Sequence, residues 1–137
     1  MKDHFVKTEN HQRLSAAVRF MEERGSQSAC LCLLHGEPGV GKTRNISHWG
    51  AANGAVLIKG HVGMNLDGLI WTISQQLGIK HFSNRTAEMA SQITALKAQR
   101  TPIVFDEAQA GLVMRWQRTE AAGIEYLRTL GESAHTF

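Results

Sequence analysis

Several segments of the chain carry apolar residues at the three- and four-residue spacing of an amphipathic helix. The pattern predicts four helices, over residues 8–23, 65–77, 86–100 and 120–130. A glycine stands at or just beyond the end of the first, second and fourth of them, and glycine commonly ends a helix. Pro102 follows the third and disfavours its continuation. A further helix is expected to follow a glycine-rich loop and to run to about Ala52.

Three short apolar runs have the length of strands. They are residues 29–35, residues 54–59 and the run that begins at Ile103. Each is apolar at nearly every position, which is typical of a strand covered on both faces. Because these runs alternate with helices, we expect three parallel strands with right-handed crossovers and helices on both faces of the sheet. The pattern assigns no element to residues 108–118.

Length and composition favour one cytoplasmic domain. The chain has 137 residues, 42% of them hydrophobic, which is enough for a single core. We treat residues 1–137 as one domain in which residues 1–27 form a lead-in segment and helix. No apolar run reaches the length of a membrane span, and the N-terminus lacks the apolar centre of a signal peptide. The formal net charge of +3 permits nucleic acid as a partner without arguing for it.

The two cysteines, Cys30 and Cys32, alternate within the first apolar run and are therefore expected on the same face of a strand. They are too close in sequence for an easy disulfide. No cysteine or histidine stands at zinc spacing from them. Buried free thiols are thus favoured over a metal site.

A phosphate-binding loop is predicted between the first strand and the helix after it. Residues 36–43 read GEPGVGKT and match the pattern G-x-x-x-x-G-K-[ST]. In this setting Gly39 and Gly41 let backbone N–H groups turn toward phosphates, and the helix N-terminus adds a favourable dipole. The predicted nucleotide-binding residues of the loop are Gly36, Glu37, Pro38, Gly39, Val40, Gly41, Lys42, Thr43 and Arg44.

Two side chains of this loop have specific expected roles. Lys42 should reach the β- and γ-phosphates, and the hydroxyl of Thr43 should ligate Mg²⁺. The alternative is a glycine turn that matches the pattern by chance. The apolar run before the loop and the helix after it disfavour that alternative.

Two acidic residues, Asp106 and Glu107, follow the third apolar run. A carboxylate at the C-terminal end of a parallel strand lies at the ligand-binding edge of the sheet, where Asp106 can hold the Mg²⁺ shell. Glu107 is placed to polarise an attacking water and is, with Lys42, a candidate catalytic residue. The alternative is that both acids only solvate the end of a strand. The string DEAQ also resembles helicase motif II, but the chain is too short for the other helicase motifs.

The segments GEPGVGKT and IVFDEAQ together resemble AAA+ ATPases of the branch that contains transposition and secretion ATPases. The segment FVKTENHQRLSAAVRF resembles the lead-in helix of the bacteriophage Mu B-type transposition proteins. The resemblance implies an α/β fold, a three-layer αβα P-loop NTPase core of the AAA+ type with a parallel sheet. It implies ATP and Mg²⁺ as cofactors and places Phe5 and Val6 near the adenine.

The same resemblance implies several partners. Such proteins assemble as homo-oligomeric filaments or rings, bind double-stranded DNA when ATP is bound, and recruit and stimulate a transposase. Their DNA contacts follow the second strand, which makes Lys59 and His61 the candidates in this chain. The alternative for both residues is an exposed loop without a ligand.

The chain stops where the fourth strand of an AAA+ sheet begins, a strand that lies between the first and the third. We therefore expect a truncated AAA+ domain that binds Mg²⁺-ATP weakly and hydrolyses it very slowly or not at all. The first and third strands should either pair directly or promote self-association through their open edges. Two other functions stay open. One is a nucleotide-binding remnant without activity, and the other is a small-molecule kinase, for which we find no acceptor pocket or lid.

Overall fold

The computed structural model describes residues 8–23, 31–112 and 120–134. In chain order its elements are α1 (Glu9–Glu23), α2 (Lys42–Ala52), β1 (Val56–Lys59), α3 (Leu66–Leu77), α4 (Arg85–Gln99), β2 (Ile103–Asp106), α5 (Ala108–Leu112) and α6 (Glu120–Ala134). The helices α1, α3 and α4 lie within one residue of their predicted starts and ends. None of the helices in these ranges combines the length and the apolar content that crossing a membrane requires.

The strands β1 and β2 pair in parallel, with Val56 opposite Ile103 and Lys59 opposite Asp106. Helices α3 and α4 lie between them in sequence, as a parallel connection requires. Both C-terminal strand ends therefore meet at the same edge of the sheet. This arrangement confirms the predicted α/β fold with a parallel sheet.

Different helices cover the two faces of the sheet. Val56 and Ile58 are buried in a core shared with α3, α4 and α6. Leu57 points to the opposite face, since successive strand residues alternate. There it touches α2 so closely that a Cβ on Gly50 would lie 2.5 Å from its side chain. Helix α1 contacts α2 from outside and buries Leu14. The order of helix, sheet and helix is the predicted three-layer arrangement.

Capping residues fix both ends of helix α3. The Asn65 side chain accepts a hydrogen bond of 2.8 Å from the N–H of Gly68 and so caps the first turn. At the other end Gly78 adopts a left-handed conformation with φ 67°, which glycine allows at little cost. Between the caps, the apolar stripe faces the core through Leu69, Ile70, Ile73 and Leu77.

A chain of hydrogen bonds crosses this core between α3, α4 and α6. The Gln92 Nε2 donates to the Ile70 carbonyl at 2.9 Å and to the Ser74 Oγ at 2.7 Å. Its Oε1 accepts from the Tyr126 hydroxyl at 2.9 Å. Ser74 in turn donates to the buried carboxylate of Glu88. Such a network favours a single arrangement of the three helices. If one of these side chains moves, its partners lose their buried hydrogen bonds.

The Glu88 carboxylate is 1% exposed and has further partners beyond Ser74. The Phe82 N–H donates to it at 2.5 Å, and the His81 Nδ1 lies 3.0 Å away. Burial alone raises the pKa of Glu88. The hydrogen bonds from Ser74, Phe82 and His81 and the charge of His81 outweigh burial and leave the pKa below its ordinary value of 4.5.

The first predicted strand is not found in the described part of the chain. Residues 31–35 have no regular secondary structure, and Leu33 is 82% exposed. An apolar run becomes a strand only when a neighbouring ladder pairs with its N–H and C=O groups. Among the described residues, β2 pairs only with β1, so the expected direct pairing with this run is also absent. The Cys32 thiol is free as predicted but exposed instead of buried, and Cys30 lies outside the described residues.

Two predictions near the C-terminus were also wrong or incomplete. Helix α6 continues through Gly131 to Ala134. A glycine inside a helix costs up to about 1 kcal/mol, and burial of Leu130 and Ala134 offsets that cost. Helix α5 occupies a stretch to which the pattern assigned no element, because five residues are too few to show a helical period.

Candidate functional site

The glycine-rich loop before α2 depends on two left-handed residues. Gly39 has φ 83° and Gly41 has φ 82°. A side chain at either position is strained by its own backbone, so the loop needs glycine in both places. Gly41 is also the residue that precedes the first turn of α2. Gly41 thus joins the loop directly to helix α2.

The side chain of Lys42 folds back over this loop. Its Nζ donates to the carbonyl of Gly36 and to the carbonyl of Glu37, each at 2.8 Å. An ammonium group has three donors, so these two bonds leave one for a ligand. The positive charge is therefore held at the mouth of the loop by the loop's own carbonyls.

The N-terminus of α2 lacks the side-chain cap that α3 and α4 have. The side chains of Asn65 and Asn84 provide those two caps. The first N–H groups of a helix have no partner within the helix, and the helix dipole makes this end positive. An anion, in particular a phosphate, is the ligand that such an end accepts best. Arg44 lies exposed in the same first turn.

The parallel sheet brings Thr43 and Asp106 together. The Thr43 Oγ1 donates to the Asp106 Oδ1 at 3.3 Å, although 63 residues separate them. Helix α2 contacts β2, and its first turn thereby meets the strand's C-terminal end. A hydroxyl and a carboxylate oxygen are hard ligands of the kind that Mg²⁺ prefers. The chemistry of this donor pair fits that ion.

Glu107 follows Asp106 in a constrained conformation. Its φ of 53° is unusual for a residue other than glycine, and its N–H donates to the Asp106 Oδ1 at 2.9 Å. Backbone strain of this kind clusters at functional sites. The Gln109 Nε2 donates to the Glu107 Oε2 at 2.5 Å. Sequence reasoning missed Gln109, and its position two residues after the acid was the only available signal.

Helix α1 also reaches the loop. The Asn10 Nδ2 donates to the Val40 carbonyl at 3.3 Å, and the ring of His11 meets that of His48 edge-on with 5.7 Å between centroids. Nothing in the amphipathic pattern of α1 predicted these contacts. Phe5 and Val6, which the resemblance placed near the adenine, lie outside the described residues.

The two candidate DNA-binding residues lie beyond the loop's helix. Lys59 is exposed at the end of β1, at the same sheet edge as Asp106. His61 is exposed in the following loop, where its Nδ1 lies 3.2 Å from the Val62 carbonyl. The neighbouring Val62 side chain is 91% exposed. The end of β1 and the loop after it thus present one cation, one imidazole and one apolar group to solvent.

Comparison with known proteins identifies the family. The family model described as an AAA domain matches residues 24–136, which include both the glycine-rich loop and the strand-end carboxylates. No curated protein and no solved structure matched the chain. The matched range covers most of the sequence and agrees with the parallel α/β fold. The chain therefore belongs to the AAA domain family of P-loop ATPases.

Proposed function

We propose that this chain binds ATP with Mg²⁺ on residues 36–44 and hydrolyses it slowly with the help of Glu107. The observation that carries the proposal is the pairing of the Thr43 hydroxyl with the Asp106 carboxylate at the uncapped N-terminus of α2. Phosphate and metal ligands meet at this one point. The starts of α3 and α4, in contrast, are capped by the side chains of Asn65 and Asn84.

The loop supplies the phosphate contacts. Gly36, Gly39 and Gly41 allow its backbone to lie close to the phosphate chain. The remaining donor of Lys42 binds the β- and γ-phosphate oxygens, while Glu37, Pro38 and Val40 form the rim of the loop. Arg44 adds positive charge in the first turn. These two positive charges offset part of the charge of the triphosphate before any chemistry occurs.

Thr43 and Asp106 would hold Mg²⁺. When bound, the ion neutralises charge that develops on the β- and γ-phosphate oxygens. Glu107 takes the proton of the attacking water as the water's oxygen bonds to the γ-phosphorus and the bond to ADP breaks. Gln109 holds one carboxylate oxygen of Glu107 and leaves the other for the water. Phe5 and Val6 contact the adenine in this proposal, on the resemblance alone.

We further propose that the ATP-bound form binds double-stranded DNA as a homo-oligomer and recruits a transposase. The resemblance to Mu B-type proteins motivates this part, and the exposed Lys59 and His61 support it. A lysine binds DNA phosphates by charge, which makes affinity fall with salt.

The first experiment measures binding of a fluorescent ATP analogue with and without Mg²⁺. Micromolar binding that Mg²⁺ strengthens is expected, and no binding in either condition would overturn the proposal. Release of phosphate is then followed over hours with a coupled assay. Binding without any release identifies a nucleotide-binding remnant, and transfer to a small acceptor identifies a kinase.

The second experiment measures retention of labelled duplex DNA with ATP, with ADP and without nucleotide. Retention should be greatest with ATP and should weaken with added salt. Lys59→Ala should reduce it, whereas Lys97→Ala, at the last turn of α4, is the matched control. Equal retention with ATP, with ADP and without nucleotide would contradict the proposed role in transposition. It would not contradict the proposed nucleotide binding.

A further inference from the structure

The outer edge of β1 is closed, and the closure comes from a side chain. Along this strand the N–H groups of Val56 and Gly60 face β2, since they donate to the carbonyls of Pro102 and Asp106. Backbone groups alternate along a strand, so those of Leu57 face the outer edge. An edge with unpaired N–H and C=O groups is a template for another strand.

The side-chain amide of Gln76, on α3, pairs with the outward-facing backbone groups of Leu57. The Leu57 N–H donates to the Gln76 Oε1 at 2.8 Å, and the Gln76 Nε2 donates to the Leu57 carbonyl. A side-chain amide carries the same donor and acceptor as a peptide group. Gln76 therefore makes the pair of hydrogen bonds that a residue of an adjacent antiparallel strand makes. Two residues before Leu57, the N–H of Ala55 also has a partner, because it donates to the Gly50 carbonyl at 2.8 Å.

Without this contact the edge suits a second copy of the same chain. The backbone N–H and C=O of Leu57 lie at the centre of this outer edge, and the Leu57 side chain is 37% exposed. Two copies related by a twofold axis can exchange both backbone hydrogen bonds at Leu57 in an antiparallel pair. In that register Lys59 of one copy lies opposite Ala55 of the other. The lysines do not face each other, so charge repulsion alone does not prevent the pairing.

We propose that Gln76 is an edge guard: its amide takes the place of a neighbouring strand at Leu57 and prevents β1 of a second copy from pairing there. The guard directs any strand addition to the other side of the sheet, beside β2. It acts independently of nucleotide binding. It also accounts for a polar side chain turned from a helix onto a strand edge.

Sedimentation velocity over a range of concentrations tests the guard. Gln76→Ala should associate at least about tenfold more strongly than the parent. In this variant the N–H and C=O of Leu57 are free to form two hydrogen bonds with a second copy, and each such bond gives a net stabilisation. Gln75→Ala is the matched control, since Gln75 is the adjacent exposed glutamine of the same helix. Equal association of a folded Gln76→Ala variant and of the control would overturn the proposal.

Amide exchange on the parent protein gives a second test that needs no variant. The Leu57 N–H should exchange at least about tenfold more slowly than an unstructured amide, since its hydrogen bond must first open. Exchange at the unprotected rate would also overturn the proposal. In a folded Gln76→Ala variant studied at low concentration, this protection should be lost at Leu57 and kept at Ile58, whose N–H faces β2.

Discussion

The hydroxyl of Thr43 lies 3.3 Å from the carboxylate of Asp106, across 63 residues of sequence. One residue begins a helix and the other ends a strand. Their contact joins the phosphate-binding loop to the acidic strand end and so makes one site of two motifs. The sequence predicts both motifs, and their contact gives the proposed metal ligands a common location.

Removing the hydroxyl of Thr43 or the negative charge of Asp106 should weaken the effect of Mg²⁺ on ATP binding. Thr43→Val and Asp106→Asn are each expected to reduce the Mg²⁺-dependent gain in affinity by about tenfold or more, the cost of one charge-assisted contact. Thr43→Ser keeps the hydroxyl and should stay within about threefold of the parent. Titration of a fluorescent ATP analogue at several Mg²⁺ concentrations measures the effect. An unchanged Mg²⁺ dependence in Asp106→Asn would remove Asp106 from the site.

Lys42→Ala should abolish nucleotide binding. Its ammonium is held over the loop by two carbonyls, and the variant loses both the positive charge and its donor. Lys97→Ala removes an equal charge from the last turn of α4 and should bind as the parent does. Isothermal titration with Mg²⁺-ATP compares the three proteins. The proposed site is wrong if the Lys42 variant binds with parental affinity.

Glu107→Gln should bind ATP with unchanged affinity and show no hydrolysis, because an amide cannot accept the proton of the attacking water. Binding is measured by titration and hydrolysis by phosphate release in a single turnover. The variant keeps the size of the side chain, so a change in folding is not expected. Hydrolysis at the parental rate in Glu107→Gln would exclude this residue as the base.

Gln109→Ala should slow any hydrolysis several-fold while leaving the affinity for ATP unchanged. The glutamine orients Glu107 through one hydrogen bond, whose net worth is about 1 kcal/mol or roughly a factor of five. In the Glu107→Gln background the same change should have no further effect, since the two residues act as one unit. A larger loss of ATP affinity than of rate would assign Gln109 to binding instead.

Stability should fall in acid because of Glu88. Its pKa in the folded protein lies below 4.5, so the unfolded chain binds this proton more readily than the folded protein does. The stabilisation is complete above about pH 4.5 and is lost as the pH falls through the lower, folded-state pKa. Urea unfolding between pH 3 and pH 7 measures the free energy of unfolding along this range.

Glu88→Ala should cost about 2–4 kcal/mol at neutral pH, since it leaves the buried Ser74 hydroxyl and the Phe82 N–H without their acceptor. The acid-dependent loss of stability should become smaller in this variant. Glu125→Ala is a suitable control, because that carboxylate is exposed on α6 and pairs with Arg128 at the surface. Equal losses in the two variants would contradict the role of the buried network.

Local features of the fold were predictable from the sequence. The apolar periods of α1, α3 and α4 and the apolar runs of β1 and β2 are properties of neighbouring residues, and the structure confirms these five elements. The positive φ angle of Gly41 fits a position at which the motif requires glycine, whereas Gly39 has a similar angle at a position that the motif leaves open. Each of these predictions depends on residues a few positions apart.

Contacts between distant segments were decided by the tertiary structure. The amide of Gln76 caps Leu57, and Gln92 links three helices, yet both are ordinary polar residues in a helical pattern. Residues 31–35 show the reverse case, because an apolar run of strand length pairs with nothing in the described part of the chain. Sequence patterns determine which backbone conformation a segment favours and which face is apolar. Packing determines which donor meets which acceptor, because a hydrogen bond between remote residues exists only after the elements that carry them have come together.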